Sequence, residues 1–266
     1  MTDLRTRLER LGFRGYYRLA DLTYALGVAT PKRTVAGRYW SYEPTNPHGD
    51  DPGLAALADL PSDATVFDVG AHVGEHAIPL AVGTDRRVVA FEPNGESADR
   101  LARNARRNGL DGSVDLRRIG LGDANDELTF YRSTFSKCSA FDRADATRWG
   151  ASVAAAERVP IRRLDDLLDG TTASATDGTP TAGPVPDPLR DSDPLPDPDA
   201  IKVDVEGHEL AVLRGAAGTI DRCRPLLVVE THGADDAREV RSWVTDRGYA
   251  VDERGDVLVC RSFAGP

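Results

Sequence analysis

The chain has 266 residues, a net charge of −10 and 40% hydrophobic residues, enough for one sizeable α/β domain with a buried core. The acidic balance excludes nucleic acid as a partner in the absence of a local basic patch. No apolar run approaches the ~20 residues of a membrane helix.

The opening stretch MTDLRTRLERLG is charged every few residues and lacks the apolar centre of a signal peptide, so a cytoplasmic protein without stable membrane insertion is expected. Leu4, Leu8 and Leu11, then Tyr16, Leu19, Leu22 and Leu26, keep roughly helical spacing. Residues 1–60 are therefore expected as a helical N-terminal extension, its aromatic and leucine face packed on the domain behind it. EPTNPHGDDPG, 43–53, interrupts it with three prolines and two glycines, and LAALADL, 54–60, reads as a short helix entering the core.

From residue 65 strands and helices alternate. TVFDVG (65–70) and RVVAFEP (87–93) read as buried strands, EHAIPLAV as a helix interrupted at Pro79, and ESADRLARNARRNGL (96–110) as a helix stopped at Gly109. SVDLRRIGLG (113–122) reads as a third strand, DELTFYRS (126–133) as an extra one, and RVPIRRLDDLLDG (158–170) as a strand and a helical turn. IKVDVEG and PLLVVETHG follow as strand-to-loop junctions, DAREVRSWVTDRGY (236–249) as a helix, and YAVDERGDVLVCRS (249–262) as a hairpin. Such alternation predicts an α/β fold with a doubly wound parallel sheet over 61–266. Residues 170–199 hold seven prolines and no aromatic residue, and are expected to be a disordered Pro/Asp-rich insertion.

Cys138, Cys223 and Cys260 have neither disulfide nor metal spacing and read as isolated thiols. Lysine occurs only as Lys32, Lys137 and Lys202, and aspartate greatly outnumbers glutamate. That bias points to adaptation to high salt.

FDVGAHVGEH (67–76) is the strongest motif. A strand ends at Asp68; Gly70, Ala71 and Gly74 make the strand-to-helix turn, where glycine lets a ligand approach the backbone. Ala71 and His72 stand where a dinucleotide fingerprint needs glycine, which disfavours an NAD-dependent oxidoreductase. Glu92 ends the second strand, suited to ribose hydroxyls, and Asp123 follows the third, suited to an adenine amino group. Acidic strand ends in this order favour a cationic adenosine ligand, S-adenosylmethionine (SAM) being the common one.

The pieces VFDVGAHVGEHAIPLA, VVAFEPNGESADRLARNARRNGL, IGLGDANDELTFY, RRLDDLL, IKVDVEGHELAVLRGA and RPLLVVETHG resemble, in order, the FkbM-like branch of class I SAM-dependent methyltransferases. The resemblance spans 66–233 apart from the proline-rich insertion. It implies a Rossmann-like sheet of seven strands, the last antiparallel, and methyl transfer to oxygen, often on a sugar or polyketide hydroxyl. It implies SAM held by Asp68, Gly70 and Gly74 at its methionine part, Glu92 at the ribose and Asp123 at the adenine. His72 departs from the family's usual asparagine, so only the loop's backbone role carries over.

IKVDVEGHEL (201–210) is expected beside the first strand, its end opening next to the methyl group. Period two puts Lys202, Asp204 and Glu206 on one face if the strand continues that far. Asp204 is the candidate for orienting SAM or the acceptor. Glu206 and His208 are the candidate proton acceptors, and Glu209 is expected near the start of the following helix. No metal centre is assigned, although Asp204, Glu230 and His232 leave open an oxygen-rich site for Mg²⁺ or Mn²⁺. STFSKCSAF (133–141) suits an acceptor loop. The expected partner is a glycan or other small hydroxylated acceptor. Carboxyl methylation of a uronic acid and a non-catalytic SAM-binding module are the alternatives.

Overall fold

The computed structural model describes residues 2–45, 49–170 and 195–263. Most of the expected Pro/Asp-rich insertion, 171–194, lies outside the described residues.

Helix α1 (Thr2–Leu26) leads into a hairpin, β1 (Thr30–Thr34) and β2 (Gly37–Ser41), and helix α2 (Pro52–Ala58). Then β3 (Thr65–Val69), α3 (Ala77–Ala81), β4 (Arg87–Phe91), α4 (Gly95–Arg107) and β5 (Val114–Arg117) alternate. Next come β6 (Gly120–Leu121), β7 (Asp126–Ser133), two 3₁₀ turns at Ser136–Cys138 and Asp145–Gly150, β8 (Val153–Arg162) and α5 (Leu164–Leu168). The chain returns through β9 (Ala200–Val203), α6 (Glu209–Gly215), α7 (Ala217–Cys223), β10 (Leu226–Glu230) and α8 (Ala234–Thr245), and ends in the hairpin β11 (Tyr249–Arg254) and β12 (Val257–Ser262).

Seven strands form one sheet in the order β11-β12-β10-β9-β3-β4-β5. β5, β4, β3, β9 and β10 run parallel, and β12 pairs antiparallel with β10. The expected seven-stranded doubly wound sheet with an antiparallel last strand is therefore present. Alternating residues supply its two faces. Val66, Val88 and Ala90 join Leu57, Ile78 and Leu101 in one core, while Phe67, Val69, Val89 and Phe91 join Ile201, Val203 and Leu213 in the other.

Four local expectations change. The N-terminal stretch is not wholly helical, because Thr30–Ser41 pairs as a hairpin. Its strands are short and bury single residues in alternation, Lys32 and Thr34, then Tyr39 and Ser41, too brief a signal beside the long helix. Leu54 and Leu57, fully buried on α2, belong to the same core as Val66, and Tyr39 of β2 joins them, so α2 and the hairpin share the main domain's interior. The expected third strand divides: β5 stops at Arg117, and Gly120–Leu121 pairs with β8 in a separate three-stranded sheet, β6-β8-β7. Finally, β9 ends at Val203, so Asp204 and Glu206 lie beyond the strand and not on one strand face.

Candidate active site

The strand-end loops after β3, β4, β9 and β10 converge on one cavity of about 520 Å³, closed on its other side by the segment between β7 and β8. Its place outside the carboxyl ends of the parallel strands is where doubly wound folds bind ligands.

The loop after β3 turns at Gly70 with φ +79°, and a Cβ there would lie 1.8 Å from the Asp204 carbonyl oxygen. Only glycine meets both demands. Gly70 and Ala71 donate backbone hydrogen bonds to the Phe91 carbonyl, which ties the loop to β4. Glu92, buried at the end of β4, accepts from the backbone amides of His72 at 2.7 Å and Asn94 at 2.8 Å. Burial pushes its carboxyl pKa up, while His72 and the Asn94 amide act in the opposite direction. Each carboxylate oxygen keeps a lone pair beyond these bonds. The His72 side chain reaches across the cavity, with Nε2 2.8 Å from the Ser136 hydroxyl.

Beneath the loop lies Lys202, 4% exposed. Its Nζ is 3.1 Å from Asp68 Oδ1 and 3.4 Å from Asp204 Oδ2, and it donates to the Gly70 carbonyl at 3.1 Å. Burial alone would depress this ammonium, but Asp68 and Asp204 outweigh it and hold its pKa above the usual lysine value. Burial likewise opposes ionisation of Asp204, yet Lys202 and His232 leave its pKa below normal.

After β9 the chain turns sharply, with Glu206 at φ +57° and Gly207 at φ +96°. Glu206 forms an ion pair with Arg148 and lies 3.3 Å from His232 Nε2. Burial raises its carboxyl pKa while His232 pulls it down. Glu209, fully buried at the first position of α6, accepts from the Gly207 amide at 3.1 Å, and its Oε1 is 2.8 Å from His232 Nδ1. Burial disfavours the His232 imidazolium, but Glu209, Glu206 and Asp204 lift its pKa to about 9.

Of the residues expected to hold the cofactor, Gly70, Ala71 and Glu92 line the cavity; Asp68 stands behind it through Lys202, and Gly74 packs against Ile78 and Leu101. Asp123 is exposed and outside the lining, because β5 ends six residues before it and the wall there comes from Ile119, Gly120 and Leu121. Of the candidate catalytic residues, Asp204 and Glu206 line the cavity. His208 does not: its ring packs 5.1 Å from that of Phe141, against Gly122, and burial lowers its pKa. Glu230 and His232 do line it.

Arg148 and Trp149, which no sequence motif singled out, complete the wall. Trp149 sits at φ +55° and stacks on Phe13 of α1, ring centroids 5.5 Å apart. Lys137, in the stretch read as an acceptor loop, also lines the cavity and pairs with buried Glu75 at 2.7 Å. Among the described residues four non-glycine positions have positive φ, and three of them, His72, Trp149 and Glu206, line this cavity. Such strain gathers where ligands are held.

Residues 179–251 match the family model of the methyltransferase FkbM domain. The hexuronic acid methyltransferase AglP of Haloferax volcanii is 29% identical over 191 residues, which cover 71% of this chain and 65% of that protein. The chain thus spans just under two thirds of that relative's length. The methyltransferase sdnD of Sordaria araneosa is 27% identical over 215 residues, covering 73% of this chain and 77% of the other. A solved structure of an FkbM methyltransferase from Methylobacillus flagellatus aligns with a TM-score of 0.49 and 18% identity, over 78% of this chain and 45% of that one. In motif order, and over part of its length, the chain is similar to the FkbM-like methyltransferases.

Proposed function

We propose that the protein transfers a methyl group from SAM to an oxygen of a saccharide acceptor. The observation that carries this reading is the single cavity joining the Gly70–His72 loop and Glu92 to the acidic and cationic wall of Asp204, Glu206, Lys137 and Arg148. The residues present fit SAM. The strand-end carboxylates suit a cationic ligand, Glu92 keeps acceptor capacity for ribose hydroxyls, and the glycine loop offers no arginine or lysine cluster for a pyrophosphate. When bound, SAM supplies an activated methyl group on a sulfonium.

Methyl transfer needs the acceptor oxygen in line with the methyl and the sulfur, so positioning supplies much of the rate. In this reading Asp204, steadied by Lys202, orients the ligands. Glu206 takes the acceptor proton, held in place by Arg148 and His232. Lys137, paired with Glu75, and Arg148, paired with Glu206, bring hydrogen-bond donors to the acceptor end for sugar oxygens.

The likeness to a hexuronic acid methyltransferase favours a second reading, in which the carboxylate of a uronic acid is the acceptor. A carboxylate is already deprotonated and needs no base. Glu206→Gln separates the two. With a hydroxyl acceptor kcat falls by about 10²–10⁴-fold, whereas with a carboxylate acceptor it hardly changes. Calorimetry should show SAM binding and no NAD binding, and demethylated cofactor should accumulate only when a glycan acceptor is supplied. NAD binding without SAM binding would overturn the proposal. Binding of SAM without turnover on any glycan fraction would reduce the protein to a SAM-binding module.

A further inference from the structure

The wall made by the ends of β9 and β10 holds a constellation that reaches beyond the roles given above to Asp204 and His232, because it also includes Glu230. Asp204, Glu230 and His232 each offer one ligand atom, and these atoms all lie within 4.8 Å of one another. Two oxygens and one imidazole nitrogen at that separation are a donor set for a small divalent cation. All three residues line the cavity, so the remaining coordination positions would open onto it.

The second observation concerns what stands behind the histidine. Glu209 is fully buried, and its Oε1 lies 2.8 Å from His232 Nδ1. A cation would displace the Nε2 proton, and the Nδ1 proton shared with this carboxylate then leaves the Nε2 lone pair 3.3 Å from Glu206 Oε2 and 3.7 Å from Asp204 Oδ1. A carboxylate that orients an imidazole through its far nitrogen is the usual support of a metal-binding histidine. The other oxygen, Glu209 Oε2, is buried without a hydrogen-bond partner among the described residues. The bonds of Glu209 from the Gly207 amide and His232 thus fall on Oε1 alone.

Local charge points the same way. Four carboxylates, Asp204, Glu206, Glu209 and Glu230, crowd this corner. Arg148 is paired with Glu206. Lys202 is shared between Asp68, the Gly70 carbonyl and Asp204 Oδ2, on the side of Asp204 away from His232. The two oxygens of Asp204 therefore divide, one toward the internal lysine and one toward the histidine.

We infer that Asp204, Glu230 and His232 form a binding site for one divalent cation of the Mg²⁺ or Mn²⁺ type, oriented by Glu209 and opening into the acceptor end of the cavity. The site does not depend on which acceptor is methylated, nor on SAM being the cofactor. A cation there would present its open positions to acceptor oxygens and stabilise a deprotonated one.

The test is a titration of the full chain with Mn²⁺, following the loss of the free-ion electron paramagnetic resonance signal without SAM or acceptor. One saturable Mn²⁺ per chain is expected, with affinity reduced by about tenfold or more in Glu230→Gln and in His232→Ala separately. It should be unchanged in Asp235→Asn, an exposed carboxylate of α8 outside the cluster. Near-ultraviolet circular dichroism of each variant checks that the fold persists, and because the two ligand variants lie on different side chains, one folded variant suffices. The absence of saturable binding in the parent chain, or equal binding in a folded ligand variant, would overturn the site. SAM calorimetry on metal-free protein keeps that outcome distinct from failure of the proposed methyl transfer.

Discussion

Lys202 shows how much one side chain can determine here. It is the counter-ion of Asp68, 1% exposed, and it also ties the Gly70 carbonyl to Asp204. Removing one member of a buried pair leaves an uncompensated charge, which costs about 3–5 kcal/mol. Lys202→Met should therefore lower stability by that order in a denaturant titration and weaken SAM binding as the loop loosens; a drop of under ~1 kcal/mol would mean that the pair is not held as described. His72 makes the opposite case. Its φ of +48° is one that asparagine also adopts readily, and its backbone amide, not its ring, holds Glu92. His72→Asn should change SAM affinity by less than ~1 kcal/mol, measured by calorimetry, while losing the contact to Ser136. The sequence motif pointed to Asp68, Gly70 and Glu92 because local spacing carries them. It did not foresee that Lys202 would serve Asp68 as well as Asp204, because the meeting of Lys202 with Asp68 depends on strand pairing across 134 positions.

Among the elements, α1 has the least expected role. Phe13 stacks on Trp149 and packs against Phe135 at 5.5 Å, and Tyr17 stacks on Phe135 at 5.2 Å. The helix thus braces the 3₁₀ turn that carries Arg148 and Trp149 into the cavity. Phe13→Ala should raise KM for the acceptor several-fold while leaving the SAM dissociation constant unchanged, because the glycine loop lies on the other side of the cavity. Equal loss of both affinities would instead indicate general loosening. The helix itself was legible from leucine spacing. Its packing partner was not, because Arg148 and Trp149 lie in ATRWGAS, a stretch with no period and no motif. The hairpin Thr30–Ser41 was missed for a related reason: five-residue strands leave too few alternations to outweigh a neighbouring helix. The split of the third strand was hidden because IGLG continues the apolar run while changing sheets.

At the scale of the whole molecule, the seven-stranded sheet was readable because four of its five parallel strands, β3, β4, β9 and β10, are short, mostly apolar runs closed by Gly70, Glu92, Asp204 and Glu230, a pattern set by burial on both faces. The acceptor side was far less so, since it is assembled from loops of three separate regions. Two whole-chain measurements follow. Cys138 and Cys260 are buried, and burial raises their pKa values to about 11 and about 12. A raised pKa keeps each thiol protonated, and so unreactive, until the pH approaches that value. Ellman titration at pH 8 should therefore find one accessible thiol, the half-buried Cys223, and three only after unfolding. With a net charge of −10, self-repulsion is relieved by salt, so the melting temperature should rise between dilute buffer and molar KCl. An unchanged melting temperature would end the high-salt reading. The chain leaves the main sheet at Arg117 and rejoins it at Ala200. Within that one excursion lie the three-stranded sheet and the turns bearing Ser136, Lys137, Arg148 and Trp149. The excursion is in effect a cassette: exchanging 126–162, β7 to β8, for the corresponding stretch of a similar methyltransferase should retarget the acceptor and leave Ile119, Gly120 and Leu121 of the cofactor wall in place.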